Sequence, residues 1–226
     1  MTSAGESKLL SEKAYDLLKA DIIHCKLAPG SEWTEQQLRE RYDISVASSR
    51  AALVKLVQEQ LLISVPRRGY EVPGITLRDV REIFDLRMII EPGVASLATT
   101  RATQTDLNAL AELIRQARTQ KRFHQEDYIE INRKWHISIA ELSGNARAVR
   151  MVKQVIEASE RILYMGITTI EQNRLFLDSH QEILDLMIAG NDSAVAEALS
   201  QHIAAAKEHV IESIYRSQKV MDLNLA

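Results

Sequence analysis

The stretch from residue 31 to residue 73 constrains the fold of this chain more than any other part of it. It reads SEWTEQQLRERYDISVASSRAALVKLVQEQLLISVPRRGYEVP. Two short helical segments precede two extended apolar segments, which are joined by a turn that carries two adjacent arginines. This order is typical of a winged helix-turn-helix, in which one helix enters the major groove of DNA. The sequence therefore predicts a DNA-binding domain in the first third of the chain.

Cap residues predict where both helices of this domain begin. Thr34 and Gln37 have the spacing of a capping box, in which each side chain bonds the backbone N–H of the other residue. They open a short helix that we expect to end near residue 42. Ser45 is expected to cap the next helix, over residues 46–58. The extended segments at 61–65 and 70–72 flank Gly69, which permits the bend that a tight tip requires.

The residues expected to contact DNA lie at the starts of the two helices and on the wing. Arg50 is the best candidate for a guanine or phosphate contact, and Val46 can pack on a thymine methyl group. The alternative is that Ser45 is only a cap and that the wing arginines are a solvated tip. The candidates are Thr34, Gln36, Ser45, Val46, Ser48, Ser49, Arg50, Arg67, Arg68 and Gly69.

The bulk composition narrows the class of protein. The 226 residues include only 8 glycines and 4 prolines, which favours helices. With one cysteine, no apolar signal core and no run of 18 apolar residues, the chain is expected to be cytoplasmic, without a membrane partner. Residues 1–74 hold 10 Lys/Arg and 10 Asp/Glu within a chain of net charge −3. DNA affinity must therefore depend on local placement of charge.

The chain is expected to divide near Pro73-Gly74 into two domains, residues 1–74 and 75–226. We expect residues 1–7 to be disordered. The sequence beyond the boundary shows no strand signal, and its periodicity predicts six amphipathic helices, near 77–99, 104–120, 125–143, 145–168, 172–189 and 192–217. The predicted fold is mostly α, with an N-terminal winged helix-turn-helix and a C-terminal all-α six-helix bundle.

Three histidines of the second domain have informative positions. His136 follows Asn132 by four residues, so both side chains lie on one helix face. His180 and His202 lie one helix, turn and helix apart, so antiparallel helices would bring them together. Three imidazoles and an amide oxygen suit a divalent metal, with Zn²⁺ or Ni²⁺ the expected ions. The alternative is that these histidines are packed or hydrogen-bonded core residues.

Several short runs in the first domain recur in one family of bacterial regulators. They are Leu27-Ala28-Pro29-Gly30, Glu35, Leu38, Ile44-Ser45, Arg50-Ala51-Ala52-Leu53, Leu56, Leu61-Leu62 and Pro66-Arg67-Arg68-Gly69-Tyr70. With these runs, residues 14–72 resemble the N-terminal domain of the GntR family, which implies binding to a double-stranded DNA operator. Gln36 and Val46 replace frequent arginines, and Ser48 replaces a frequent proline. The operator is therefore expected to differ from the commonest family sequence.

A second set of motifs comprises Asn132, Trp135-His136, Ser143-Gly144-Asn145, His180 in SHQEILDLMIAGND and His202 in ALSQHI. With them, residues 76–217 resemble the FCD-type helical effector domain of the FadR branch, in its shorter, VanR-like form. The resemblance implies a metal at Asn132, His136, His180 and His202, with a small carboxylic acid beside it. Asn132 replaces the more frequent aspartate, which is expected to weaken metal binding yet favour an anionic effector.

Arg87 and Glu91 match the Arg-x-x-x-Glu start of that domain. A buried guanidinium binds a carboxylate through two hydrogen bonds, so Arg87 is expected to orient the effector. The alternative is an i,i+4 pair that serves only its own helix. Arg161 is a further candidate for lining the effector cavity, with a structural role as the alternative.

These features together predict a homodimeric, ligand-responsive bacterial transcription regulator, more often a repressor than an activator. An effector near the metal and Arg87 would shift the helical domain between packings and so change how two half-sites are read. One alternative is a metal-dependent hydrolase or lyase built on the bundle, since an open metal site can activate water. Another is a metal-stabilised dimerisation module without an effector.

Overall fold

The computed structural model describes residues 3–119, 124–166 and 170–218 of the chain. The chain forms two compact units, residues 1–75 and residues 76–226. The described part of the first unit contains α1 (Ser3–Ile23), β1 (Glu32–Trp33), α2 (Glu35–Tyr42), α3 (Val46–Gln58), β2 (Ile63–Val65) and β3 (Gly69–Glu71). That of the second contains α4 (Leu77–Thr99), α5 (Gln104–Thr119), α6 (Gln125–Leu142), α7 (Ala146–Gly166), α8 (Ile170–Ile188) and α9 (Asp192–Gln218). The predicted fold class is confirmed.

The first unit is held together by leucines that its three helices and its wing direct into one core. Leu18 of α1, Leu38 of α2 and Leu53 of α3 are completely buried there. The sheet has the order β1-β3-β2, and both neighbouring pairs are antiparallel. Strand β1 was not predicted, because its two residues give too short a pattern and form a strand only by pairing with β3.

The predicted starts of α2 and α3 are confirmed. The Thr34 hydroxyl accepts from the backbone N–H of Gln37, whose side chain accepts in return from the backbone N–H of Thr34, and Ser45 caps α3 by accepting from Ser48. The prediction of disorder over residues 1–7 is wrong for residues 3–7, because α1 begins at Ser3. Residues 1 and 2 lie outside the described part.

In the second unit, α4 packs against α6, α7 and α9, while α8 packs against α5 and α9. Thr76 and Asp79 form a capping box that begins α4. Phe84 of α4 and Trp135 of α6 are among the largest fully buried side chains. The bundle thereby turns one face of α4, α6, α8 and α9 toward a shared interior. The predicted helix ends at residues 120 and 168 fall outside the described residues.

Over the three described ranges, no helix is both long enough and apolar enough to cross a lipid bilayer.

Candidate metal centre and nucleic-acid interface

Three helices bring three distant histidines into one buried cluster. His136 lies on α6, His180 on α8 and His202 on α9, and each is at most 5% exposed. One ring nitrogen from each histidine lies within 4.8 Å of those of the other two. Asn132 is also buried, one turn before His136, and its Oδ1 accepts from the Tyr128 hydroxyl at 3.4 Å. The histidine triad is thus arranged as a site that could hold a metal ion.

His180 is the member of the cluster that most clearly lacks a protein partner. Its ring stacks on Trp135 with centroids 4.1 Å apart. Neither of its ring nitrogens has a hydrogen-bond partner among the described residues, although both are buried. Buried polar atoms are rarely left without a partner, because their desolvation costs free energy that nothing offsets. A metal bound by this imidazole would supply the missing partner.

Ser179 fixes the orientation of His202. The Ser179 hydroxyl donates to the backbone oxygen of Phe176 at 2.8 Å, and its oxygen lies 2.7 Å from His202 Nδ1. Because the hydroxyl proton is used toward Phe176, we infer that His202 Nδ1 carries a proton and donates it to Ser179. That leaves the lone pair of His202 Nε2 free for a metal. Such support of a ligating imidazole by a neighbouring acceptor is usual at metal sites.

Burial keeps the cluster in the protonation state that a metal requires. Desolvation lowers the pKa of His180 and His202 well below the usual range, and neighbouring histidines and Arg87 act in the same direction. Burial also lowers the pKa of His136, although Glu91 opposes that shift. The lowered pKa values favour the neutral imidazole, and only a neutral imidazole offers a lone pair to a metal.

Arg87, Glu91 and His136 form a buried chain of charge-assisted contacts beside the cluster. Arg87 Nε donates to Glu91 Oε1 at 2.6 Å, while Glu91 Oε2 lies 2.6 Å from His136 Nδ1. Arg87 Nη2 donates to His136 Nε2 at 3.2 Å. Burial alone would raise the pKa of Glu91, but Arg87 and His136 outweigh burial and lower it to about 2. The Arg87–Glu91 pair therefore serves more than its own helix.

Two cavities of very different volume lie beside the histidine cluster. Beside Glu91 and His136 there is a cavity of about 10 Å³, which is room for one water molecule at most. A cavity of about 450 Å³ opens between α8 and α9, and Phe176, Ser179, His202 and His209 are in its lining. The space beside Glu91 and His136 is therefore too small for an organic acid, whereas the larger of these two cavities adjoins His202. Arg161 is buried on α7, and its contact with an effector stays a prediction.

On α3, two of the residues predicted to contact DNA are buried. The Ser49 side chain is completely buried, since it lies on the same face of α3 as the core residues Ala52 and Leu53. Ser48 is 5% exposed, and its hydroxyl accepts from that of Ser45 at 3.0 Å. This burial argues for core and capping roles of Ser48 and Ser49 and against their contact with DNA.

Other predicted DNA contacts lie on the surface, where several are already engaged. Val46 is 40% exposed. Arg50 forms an exposed ion pair with Glu35, and Arg68 places Nη2 2.6 and 2.7 Å from the Glu32 carboxylate oxygens. Exposed pairs of this kind contribute little stability, so phosphate can replace the carboxylates. The remaining surface candidates are exposed Thr34, Gln36, Ser45 and Arg67 and half-buried Gly69.

Sequence reasoning missed several contacts that the structure places at these sites. Ser179 precedes His180 in the chain yet contacts His202, and Trp135 stacks on His180 across two helices. Glu35 pairs with Arg50, and Glu32 pairs with Arg68. No sequence signal marked these contacts, because each joins residues that only the packing of different elements brings together.

Comparison with known proteins identifies both units. The model of bacterial regulatory proteins of the gntR family matches residues 10–72, and the model of the FCD domain matches residues 82–205. The HTH-type transcriptional repressor RspR of Escherichia coli K12 is 25% identical over 210 residues, which is 92% of each chain. These matches indicate a transcription regulator and not an enzyme.

Two solved structures share the fold. Escherichia coli McbR/YncC has a TM-score of 0.79 at 22% identity, covering 91% of this chain and 98% of that one. A structure described as the metal-free FCD domain of TM0439 has a TM-score of 0.54 at 14% identity, covering 63% of this chain and 99% of that one. At these identities the likeness concerns the fold alone.

Proposed function

This chain belongs to the GntR family of bacterial regulatory proteins and carries an FCD domain, and from that premise we propose that it is a transcriptional repressor controlled by a metal-bound carboxylic acid. The GntR domain implies binding to DNA, and the FCD domain implies a small-molecule effector. The repressor role is supported by the relative RspR, which is named a repressor. The alternative of a hydrolase or lyase has no support from these comparisons.

The proposal depends above all on the buried cluster of His136, His180 and His202. Three imidazoles within reach of one ion suit Zn²⁺ or Ni²⁺, and Asn132 is proposed as a fourth, neutral ligand. The unpartnered nitrogens of His180 fit this role, since packing alone gives them no hydrogen bond. When bound, the metal would supply a Lewis-acidic cation for a carboxylate oxygen.

We place the effector carboxylate at Arg87, with Glu91 and Arg161 as further residues of that site. The described lining of the larger cavity includes Glu182 but no lysine or arginine, which makes it a poor place for a carboxylate. Because the space beside Glu91 and His136 admits at most one water, the acid must displace side chains to enter. A ligand shifts a conformational equilibrium only if it binds one conformation more tightly than the other. An acid that fits only after side chains have moved binds the rearranged conformation more tightly.

On the DNA side, we propose that two copies of the chain read two half-sites of one operator. Val46, Arg50 and the exposed polar residues at the start of α2 face the major groove, while Arg67 and Arg68 contact the adjacent backbone or minor groove. A second copy of the chain is supported by the exposed apolar side chains of Leu86 and Ile89 on α4, which a monomer would leave in water.

The experiment that tests this function measures operator affinity as a function of metal and acid. An operator is selected from random DNA with the full-length protein, and binding is followed by fluorescence anisotropy. Metal-free and Zn²⁺-loaded protein are compared with and without a panel of two- to six-carbon carboxylic acids. We expect at least one acid to weaken operator binding about tenfold, within the usual range of allosteric coupling.

The matched variants are His180→Ala, which removes a proposed ligand, and His24→Ala, at an exposed histidine of the first unit. The acid response is expected to be lost in the first and kept in the second. If no acid changes operator affinity in either metal state, the sensing proposal fails while DNA binding stands. If removing the metal lowers the melting temperature but leaves operator release intact, the metal-stabilised dimerisation module is the better account.

A further inference from the structure

Arg87 uses the ring nitrogen of His136 that a metal would need. Arg87 Nη2 lies 3.2 Å from His136 Nε2, and at the other edge of the ring Nδ1 lies 2.6 Å from Glu91 Oε2. An arginine side chain has only donors and stays protonated in proteins. Nε2 must therefore accept from Arg87, and the ring proton lies on Nδ1, facing Glu91. The lone pair of Nε2 is directed at a guanidinium.

The other two histidines are not blocked in this way. Both ring nitrogens of His180 are without a hydrogen-bond partner among the described residues. His202 uses Nδ1 toward Ser179, which leaves its Nε2 for another ligand. The site is thus prepared for a metal at two imidazoles and closed at the third. The group that closes it is itself a cation.

We propose that Arg87 is an internal competitor of the metal, since its guanidinium must leave His136 before the three histidines can bind one ion. A zinc–nitrogen bond is about 2.0–2.1 Å long, so metal and guanidinium cannot share the lone pair of Nε2. Glu91 need not move, because a carboxylate that accepts from Nδ1–H is the usual support of a metal-bound imidazole. Glu91 thus supports His136 in both states.

The released guanidinium explains how metal and effector would be coupled, a step that depends on the function proposed above. Arg87 keeps its Nε contact with Glu91, but its freed Nη2 needs an acceptor because the side chain is only 2% exposed. A carboxylate supplies that acceptor and offsets the positive charge that the metal adds. Metal and carboxylic acid should therefore each strengthen binding of the other, as linkage requires.

The first test compares Zn²⁺ affinity in full-length wild type, Arg87→Lys and Arg118→Lys, by competition with a chromophoric chelator. Lysine keeps the charge beside Glu91 but lacks the second nitrogen that reaches His136. Arg118 is the control because its guanidinium is half-exposed and pairs with Asp178 at the surface. Loss of a charge-assisted hydrogen bond to Nε2 should tighten Zn²⁺ binding about tenfold in Arg87→Lys. Arg118→Lys should bind like wild type.

The outcomes separate this inference from the proposed function. If a folded Arg87→Lys binds Zn²⁺ no more tightly than wild type, the competition is overturned while the metal centre stands. If none of the three proteins binds Zn²⁺, the metal centre itself fails and the inference falls with it.

A second measurement needs no variant. In metal-free, ¹⁵N-labelled wild type, NMR of the imidazole nitrogens should show His136 protonated at Nδ1 and accepting at Nε2. A proton on Nε2 would overturn the inference.

The coupling is tested with acetate as the probe, at constant ionic strength. Acetate should tighten Zn²⁺ binding by wild type, and this gain should shrink in Arg87→Lys. An equal effect of acetate in both proteins would show that it binds the metal without Arg87, which would overturn the coupling.

Discussion

At the scale of single residues, Asn132 would set the charge of the proposed metal centre. An aspartate at this position would bring a full negative charge, whereas the amide brings only a dipole. Glu91 lies 2.6 Å from His136, but its charge is already paired with Arg87 and His136. A divalent ion bound here therefore keeps excess positive charge. This favours an anionic effector at the expense of metal affinity.

Replacing the amide by a carboxylate tests that argument. Asn132→Asp is expected to tighten Zn²⁺ binding about tenfold or more, because a charged ligand attracts the ion more strongly at low dielectric. Asn108→Asp, at an exposed residue of α5, is the control. Isothermal titration calorimetry with Zn²⁺ gives both affinities, and unchanged binding by Asn132→Asp would remove Asn132 from the ligand set.

At the scale of elements, the wing depends on one glycine. Gly69 begins β3 with a φ of +124°, and a Cβ there would collide with the backbone oxygen of Trp33 in β1. Strand β3 can therefore lie this close to β1 only because residue 69 has no side chain. The same turn carries Arg67 and Arg68, so the geometry of the sheet determines where these arginines lie.

Gly69→Ala is accordingly expected to destabilise the wing. Strained backbone of this kind costs about 1–3 kcal/mol, and the collision with β1 adds to it. Gly74→Ala is the matched control, because a Cβ at Gly74 meets no atom within 4 Å. Urea unfolding measures the loss of stability, and anisotropy with the selected operator measures the loss of DNA affinity. Equal behaviour of the two variants would contradict this account of the wing.

Two tyrosines are expected to make the stability of the first unit sensitive to alkaline pH. The Tyr42 hydroxyl donates to Asp21 Oδ2 at 2.6 Å, and burial, followed by this hydrogen bond, raises the pKa of Tyr42 from 10.0 to about 12. Burial and Glu59 raise the pKa of Tyr15 to about 12 in the same way. Between pH 10.0 and about pH 12, both tyrosine hydroxyls lose their protons in the unfolded chain but keep them in the folded chain.

The free energy of unfolding should therefore fall as pH rises from 10 to 12. In Tyr42→Phe the fall should be smaller, although stability at pH 8 should drop by about 1 kcal/mol through loss of the hydrogen bond. Urea titrations across this range, with Tyr215→Phe as the exposed control, provide the measurement. A wild-type stability that is level above pH 10 would contradict the prediction.

At the scale of the whole molecule, exposed apolar side chains indicate how two copies would meet. Ile89 on α4 is 77% exposed, and Leu86 lies three residues before it on the same helix face. Met151, on the adjoining helix α7, is 49% exposed. Large exposed apolar groups on neighbouring helices are consistent with a surface that a partner covers.

A charge on this surface should therefore prevent the proposed homodimer. Ile89→Glu is expected to elute as a monomer in size-exclusion chromatography with light scattering, and to lose affinity for a two-half-site operator. Ile188→Glu is the control, because Ile188 is also exposed, at 51%, but lies on α8. A wild type that is monomeric at all concentrations would refute the dimer, and a dimeric Ile89→Glu would move the interface elsewhere.

Local sequence patterns determined much of this protein by themselves. The Thr34 and Ser45 caps, the winged order of elements and the six helices were all predictable, because caps and helical periodicity depend on residues a few positions apart. The i,i+4 spacing also placed Asn132 with His136 and Arg87 with Glu91 on shared helix faces. These are interactions within one element.

Only the tertiary structure determined which residues of other elements these helix faces contact. It turned Ser49 into the core, directed Arg87 at His136 Nε2 and set Ser179 against His202. It also left the space beside Glu91 and His136 too small for an organic acid. The sequence could identify the three histidines as candidate metal ligands. Contacts between helices far apart in the chain decide which ring nitrogens of these histidines are free to bind a metal. Local sequence patterns cannot predict such contacts.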